Sequence, residues 1–205
     1  MKKVFQLLAA HFFFGSSSLA LAYSDKATVI EGADIVKIER LAVAAPLYMS
    51  VKDAPSMEEL VRLLNEAAAV SKHQVVTYDV MAQNILWDRQ VDLYETDRHV
   101  GAKVFRDQVA QYADAYVILT VANNSRTAFF FDVYAAGTNE LLYSYQIIAD
   151  RDDPDNVKTY TEMAQKFYKN FDGSVNEAKN QQEKEAKEAR EKAKKEAERA
   201  VKEKK

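Results

Sequence analysis

Ala115-Tyr116-Val117-Ile118-Leu119-Thr120-Val121-Ala122 is an unbroken run of β-branched, aromatic and small apolar residues without a charge. That composition predicts a central strand covered on both faces. Asn123-Asn124-Ser125 follows as a turn, and Thr127 to Ala135 reads as a second strand. Gly137-Thr138-Asn139-Glu140 turns the chain again, and Leu141 to Ala149 reads as a third. Loops this short join neighbouring antiparallel strands.

Upstream, Ile35 to Leu47 is rich in Ile, Val, Leu and Ala. It predicts a mostly buried strand within 36–45, closed by Pro46, after an irregular lead-in over 23–34. Ser56-Met57-Glu58-Glu59 has the spacing of a capping box, and Leu60, Leu63, Leu64, Ala67 and Ala68 recur at helical spacing, so a helix is expected to about Ser71. Gln74 to Tyr78 reads as a short strand. Asp79 is placed to cap a short helix through about Asp88, with Met81, Ile85 and Trp87 inward. Asp97 is placed to cap a longer one with Val100, Val104, Phe105, Val109 and Tyr112 as its apolar stripe. After an acidic loop from Asp150 to Asn156, Val157 to Phe171 forms a last amphipathic helix with Tyr160, Met163, Ala164, Phe167, Tyr168 and Phe171 inward. The order β-α-β-α-α-β-β-β-α predicts one α/β domain in two or three layers, on a mixed, about five-stranded sheet.

Both ends differ from this middle. Lys2 and Lys3 precede an apolar run, Val4 to Phe14, and Ala20-x-Ala22 is the small-residue pattern of signal cleavage. Residues 1–22 therefore read as a signal peptide, which places the chain in the periplasm or outside the cell. With no cysteine, disulfides, thiolate chemistry and a lipid-bearing Cys are excluded. At the other end, Asp172-Gly173 is expected to stop the last helix, and Ser174-Val175-Asn176-Glu177 to cap a new one. The expected division is thus a domain over 23–173 and a charged, Glu/Lys/Ala-rich helical tail over 174–205. Glu183 to Lys187 and Glu188 to Lys192 are favourable i,i+4 pairs, and Ala186, Ala189, Ala193 and Ala200 have heptad-compatible spacing. Alanine drives a coiled coil weakly, so a solvated helix is the expectation, and a monomer or weak oligomer.

The opening strand Ile38-Glu39-Arg40-Leu41-Ala42-Val43-Ala44-Ala45-Pro46, the capped helix after it, and Ala113-Asp114-Ala115-Tyr116-Val117-Ile118-Leu119-Thr120-Val121 together resemble a group of exported bacterial domains. The group comprises the N-terminal domain of TolB, the periplasmic part of CsgG, and LpoB-type activators of cell-wall synthases. The resemblance covers roughly 36–171 and implies a periplasmic α/β fold. The chain departs from it in having no lipid-bearing Cys, no propeller and no evident pore-forming strands. Its tail is similar in composition to the helical stalk of TolA.

Little in the sequence points to catalysis. Outside the leader only His73 and His99 remain, neither with a ligand-spaced partner, and there is no P-loop, GxGxxG or GxSxG. No cofactor or metal is expected. The loop Asp150, Asp152, Asp153, Asp155, Asn156 has oxygen ligands for a hard cation, but Asp155 and Thr161 stand where the EF-hand pattern needs Gly and Glu. Its expected role is a solvated loop with Asp155 or Asn156 as helix cap. Charge argues against nucleic acid: residues 23–173 carry 15 Lys/Arg against 23 Asp/Glu, a net of −8.

The strand aromatics are the candidate contact residues. Alternation puts Phe129, Phe131 and Val133 on one face and Phe130, Asp132 and Tyr134 on the other, while Tyr143 and Tyr145 share a face. Phe130, Tyr134, Tyr143 and Tyr145 are the expected partner-binding set if helices leave one face bare. The leading expectation is a non-enzymatic envelope adaptor that binds another envelope protein. Its tail would serve as a spacer or as a polycationic contact to anionic wall polymer or a membrane surface. The alternative is a small-ligand-binding or hydrolytic domain using carboxylates such as Asp79, Asp97 and Asp132.

Overall fold

The computed structural model describes residues 24–49, 55–123, 126–150 and 156–202, with side chains to 195. The expected signal peptide lies outside the described residues, as do residues 151–155 of the acidic loop. Seven strands form one mixed sheet: β1 (Ser24–Val29), β2 (Arg40–Val43), β3 (Leu47–Met49), β4 (Gln74–Val76), β5 (Ala115–Asn123), β6 (Thr127–Ala135) and β7 (Leu141–Ile148). Four helices accompany them: α1 (Met57–Ala67), α2 (Tyr78–Arg89), α3 (Arg98–Gln108) and α4 (Val157–Lys202).

The strand order is β1-β7-β6-β5-β2-β4. β5, β6 and β7 form the antiparallel meander expected from their short turns. β2 is parallel to both β5 and β4. β3 is also parallel to β5, pairing Leu47 with Thr120 where β2 pairs Val43 with Val117, so β2 and β3 share one lane on either side of Pro46. Proline cannot donate to a ladder, which accounts for the interruption.

Helices lie on both faces, which makes three layers. On one face α1 and α4 cover Leu41, Val43, Val117, Leu119, Phe129, Phe131, Tyr143 and Tyr145. Phe131 stacks on Phe167 of α4 at 4.3 Å between centroids and 7° between planes. On the other face α2 and α3 cover Ala42, Val76 and Tyr116 with Met81, Ile85 and Phe105. Aromatic burial on this scale dominates core energetics.

Ser56 accepts from the Glu59 N–H while Glu59 accepts from the Ser56 N–H, completing the expected capping box of α1. Asp97 accepts from the His99 and Val100 amides and caps α3 as expected. Asn156 accepts from the Thr159 N–H at the start of α4.

Several expectations are corrected. The lead-in is not irregular: β1 pairs with β7 over six residues. Its sequence gave no strand signal because all six side chains are exposed, so no alternation was imposed on them. β1 and β3 raise the strand count from five to seven. Thr77, not Asp79, accepts at the N-cap of α2. Trp87 points outward at 83% exposure, and Val100 is 53% exposed.

The expected helix stop at Asp172–Gly173 is also absent, and α4 runs through it. A glycine inside a helix costs about 1 kcal/mol relative to alanine. Here the core-facing stripe continues past it, with Phe171 and Val175 buried and Ala178 packed on the same cluster. The Asp172 side chain is held elsewhere: it accepts from the Lys72 N–H at 2.7 Å and meets His73 Nδ1 at 2.5 Å and Ser71 Oγ at 3.3 Å.

Candidate interaction surface

The second face of the sheet is covered only in part. α2 and α3 lie over β4, β2 and the first part of β5, ending at Tyr116, Ile118 and Tyr134. Register then shows what lies beyond. Thr120 is opposite Phe130, Phe130 opposite Gln146, and Gln146 opposite Lys26. In the next row Asp132 is opposite Ser144, and Ser144 opposite Thr28. Directly paired residues point to the same side of a sheet. These rows, with Met49 of β3, line a shallow depression of about 350 Å³. Phe130 is its aromatic floor.

The bare area is chemically mixed. Leu47 and Met49 are exposed at one border and Lys26 and Thr28 at the other. The Ser144 hydroxyl donates to Asp132, so this carboxylate already has a partner within the sheet. Tyr134 stacks on Tyr116 at 5.4 Å and 22°, which anchors it at the border of the helical cover. Burial, and secondly the Asp132 charge, push the Tyr134 phenol above its ordinary range. At pH 7 it is therefore a neutral hydrogen-bonding group.

The four expected contact aromatics divide by face. Phe130 and Tyr134 are half-buried on the partly covered side. Tyr143 and Tyr145 are 0% and 1% exposed, beneath α4. This corrects their assignment as contact residues, and the reason is register: Tyr145 pairs with Phe131 and Tyr143 with Val133, so both point with the core row. Tyr145 keeps a polar role there, donating to Asp25 of β1 at 2.7 Å and accepting from Asn170 of α4 at 3.2 Å. Thr120, Gln146, Lys26, Thr28 and Met49 were not singled out from the sequence. The parity of Phe130 would have found the first two once the register was known; β1 and β3 carry no readable signal.

The alternative carboxylates do not converge. Asp79 accepts from Asn65 at 2.7 Å and from the Tyr94 hydroxyl. Asp97 caps α3, and Asp132 sits on the bare sheet. His73 lies against Asp172 and the Phe171 ring, where it ties the entry to β4 to α4. Among the described residues no three His, Cys, Asp or Glu side chains group as a metal site, and no helix is long and apolar enough to cross a membrane.

No protein-family profile matches the chain, and no curated protein does. Solved structures similar to it include the LpoB C-terminal domain from Escherichia coli, at 16% identity and a TM-score of 0.44, covering 58% of this chain and 89% of that one. The PelC dodecamer from Paraburkholderia phytofirmans is similar at 8% identity and a TM-score of 0.40, covering 70% and 93%. A DUF4136 family protein from Bacteroides thetaiotaomicron is similar at 9% and 0.39, covering 80% and 97%. LpoB domains, one of the groups the sequence resembles, are thus among the solved structures similar to this chain.

Proposed function

We propose that this chain is a non-enzymatic binding protein of the bacterial envelope that takes an envelope protein on the bare part of its sheet. One observation carries the reading: α2 and α3 stop at Tyr116 and Tyr134, and among the described residues no helix lies above Phe130 and its row. A half-covered aromatic ringed by Thr120, Gln146, Asp132 and Met49 has the make-up of a contact patch, with an apolar centre and a polar rim. The envelope location rests on the signal-like residues 1–22. In this reading residues 23–173 bind, and residues 174–205 hold the domain at a distance or touch an anionic surface. The partner contacts are Phe130 and Tyr134.

The test is photo-cross-linking in the envelope from position 146, beside Phe130, and from position 147, on the buried face. Position 146 is expected to give a discrete partner adduct that Phe130→Ser abolishes while the melting temperature holds. An adduct that survives Phe130→Ser unchanged, or none from position 146, would sink the reading.

A further inference from the structure

α2 is apolar on more than one side. Tyr78, Met81, Ala82 and Ile85 are buried against the sheet. Val80 and Trp87, seven positions apart and so on one stripe, point away from it, exposed like Leu86. Tyr94, just after the helix, is exposed as well. Ordinary surface helices oppose a polar face to the core. Gln83 and Asn84 lie between Val80 and Trp87 on that stripe, and the large indole, 83% exposed, is the feature that marks a contact site.

The setting selects the occupant. Residues 78–97 carry five carboxylates (Asp79, Asp88, Asp92, Glu95, Asp97) against Arg89 alone, a net of −4. Arg98, next in line, is directed elsewhere, donating to the Pro46 carbonyl at 2.6 Å. The complementary element is on the same chain. From Lys179 to Lys195 every side chain of α4 is exposed, and residues 174–205 carry 11 Lys/Arg against 8 Glu, a net of +3. Ala186, Ala189 and Ala193 fall on one side of that segment, which allows close approach to a bulky ring. The tail cannot reach α2 of its own chain: α4 packs on the opposite face of the sheet and is one uninterrupted helix.

We propose that Trp87 on the outer face of α2, with the acidic segment that follows the helix, receives the basic C-terminal part of α4 from a second copy of this chain. The contact joins unlike surfaces, so copies add head to tail and either close into a ring or continue as a chain. Apolar burial of Trp87 supplies affinity, and the opposed charges set register and on-rate. This does not depend on the bare sheet face.

Trp87 is the only tryptophan, so its emission reports this contact directly. With the full chain at low ionic strength, raising the concentration should increase the sedimentation mass and shift Trp87 emission to shorter wavelength together. High salt should reverse both. Lys184→Glu with Lys187→Glu and Lys192→Glu should abolish both, and adding Gln83→Lys on α2 and Glu95→Lys in the segment after it should restore them. A chain that stays monomeric throughout overturns the proposal. So does association that leaves Trp87 emission unmoved, that persists with the tail charges reversed, or that the compensating lysines fail to restore.

Discussion

Phe130 and Phe131 are chemically identical neighbours on β6, and the pleat gives them opposite consequences. Phe131 is fully buried and stacked on Phe167. Phe131→Ala is expected to cost about 3–5 kcal/mol, the range for a deleted core aromatic. Among the described residues Phe130 has no helix above it, and Phe130→Ser is expected to cost well under half of that; urea denaturation of the two variants side by side checks this. Tyr168 offers a test of opposite sign. Its side chain is fully buried, and its hydroxyl finds no hydrogen-bond partner among the described residues. An unsatisfied buried hydroxyl costs about 1–3 kcal/mol. Tyr168→Phe is therefore expected to raise the urea midpoint, and a fall would show that the hydroxyl is satisfied.

At the scale of elements, what could be read from the sequence tracks what burial had imposed on it. β5, with its uncharged run, was legible, and so were β6, β7 and α1, with their alternation or caps. So was the core stripe of α4, from Tyr160 to Phe171. β1 was not, because an exposed edge strand is held by backbone pairing that leaves no mark on Ser24-Asp25-Lys26-Ala27-Thr28-Val29. β3 was too short to stand out beyond Pro46. Of the proposed contact surface, Phe130 and Tyr134 were legible from parity. Tyr143 and Tyr145 were misplaced because alternation within a strand does not say which face a neighbouring strand shares. Gly173 misled for a related reason: glycine signals a stop only when nothing downstream rewards continuation, and Val175 and Ala178 do so here. A Cβ at Gly173 would meet nothing within 4 Å. Gly173→Ala is thus expected to stabilise the protein by up to about 1 kcal/mol. Gly137→Ala should destabilise it, since Gly137 turns the β6–β7 hairpin at φ +88°. Thermal melts of both variants give the two signs.

Taken whole, the molecule hides phenols under α4. Burial pushes the Tyr143, Tyr145 and Tyr168 hydroxyls well above their ordinary range, and for Tyr145 the bond to Asp25 adds to it. Groups raised in this way favour the folded state fully below the unfolded phenol value, about pH 10. The contribution is lost as pH rises through and beyond that value, because the unfolded chain releases protons that the folded one retains. The melting temperature should accordingly fall above about pH 10. Tyr168→Phe should lessen the slope, and an equal slope in that variant would remove Tyr168 from the account.

The unbroken passage of α4 from core to tail has a mechanical side. About twenty residues beyond Gln182 continue the helix for about 30 Å at 1.5 Å per residue. A joint at Gly173 would have let that length swivel without disturbing the sheet. A continuous rod makes it a lever, with its fulcrum where Gln182 donates to Asp34 at 3.3 Å. A sideways pull on the far end bears first on Val175 and Phe171, prising α4 off the sheet one turn at a time. A pull along the rod must shear the whole Tyr160-to-Val175 row at once. The protein is thus built to yield to transverse force and to resist axial force.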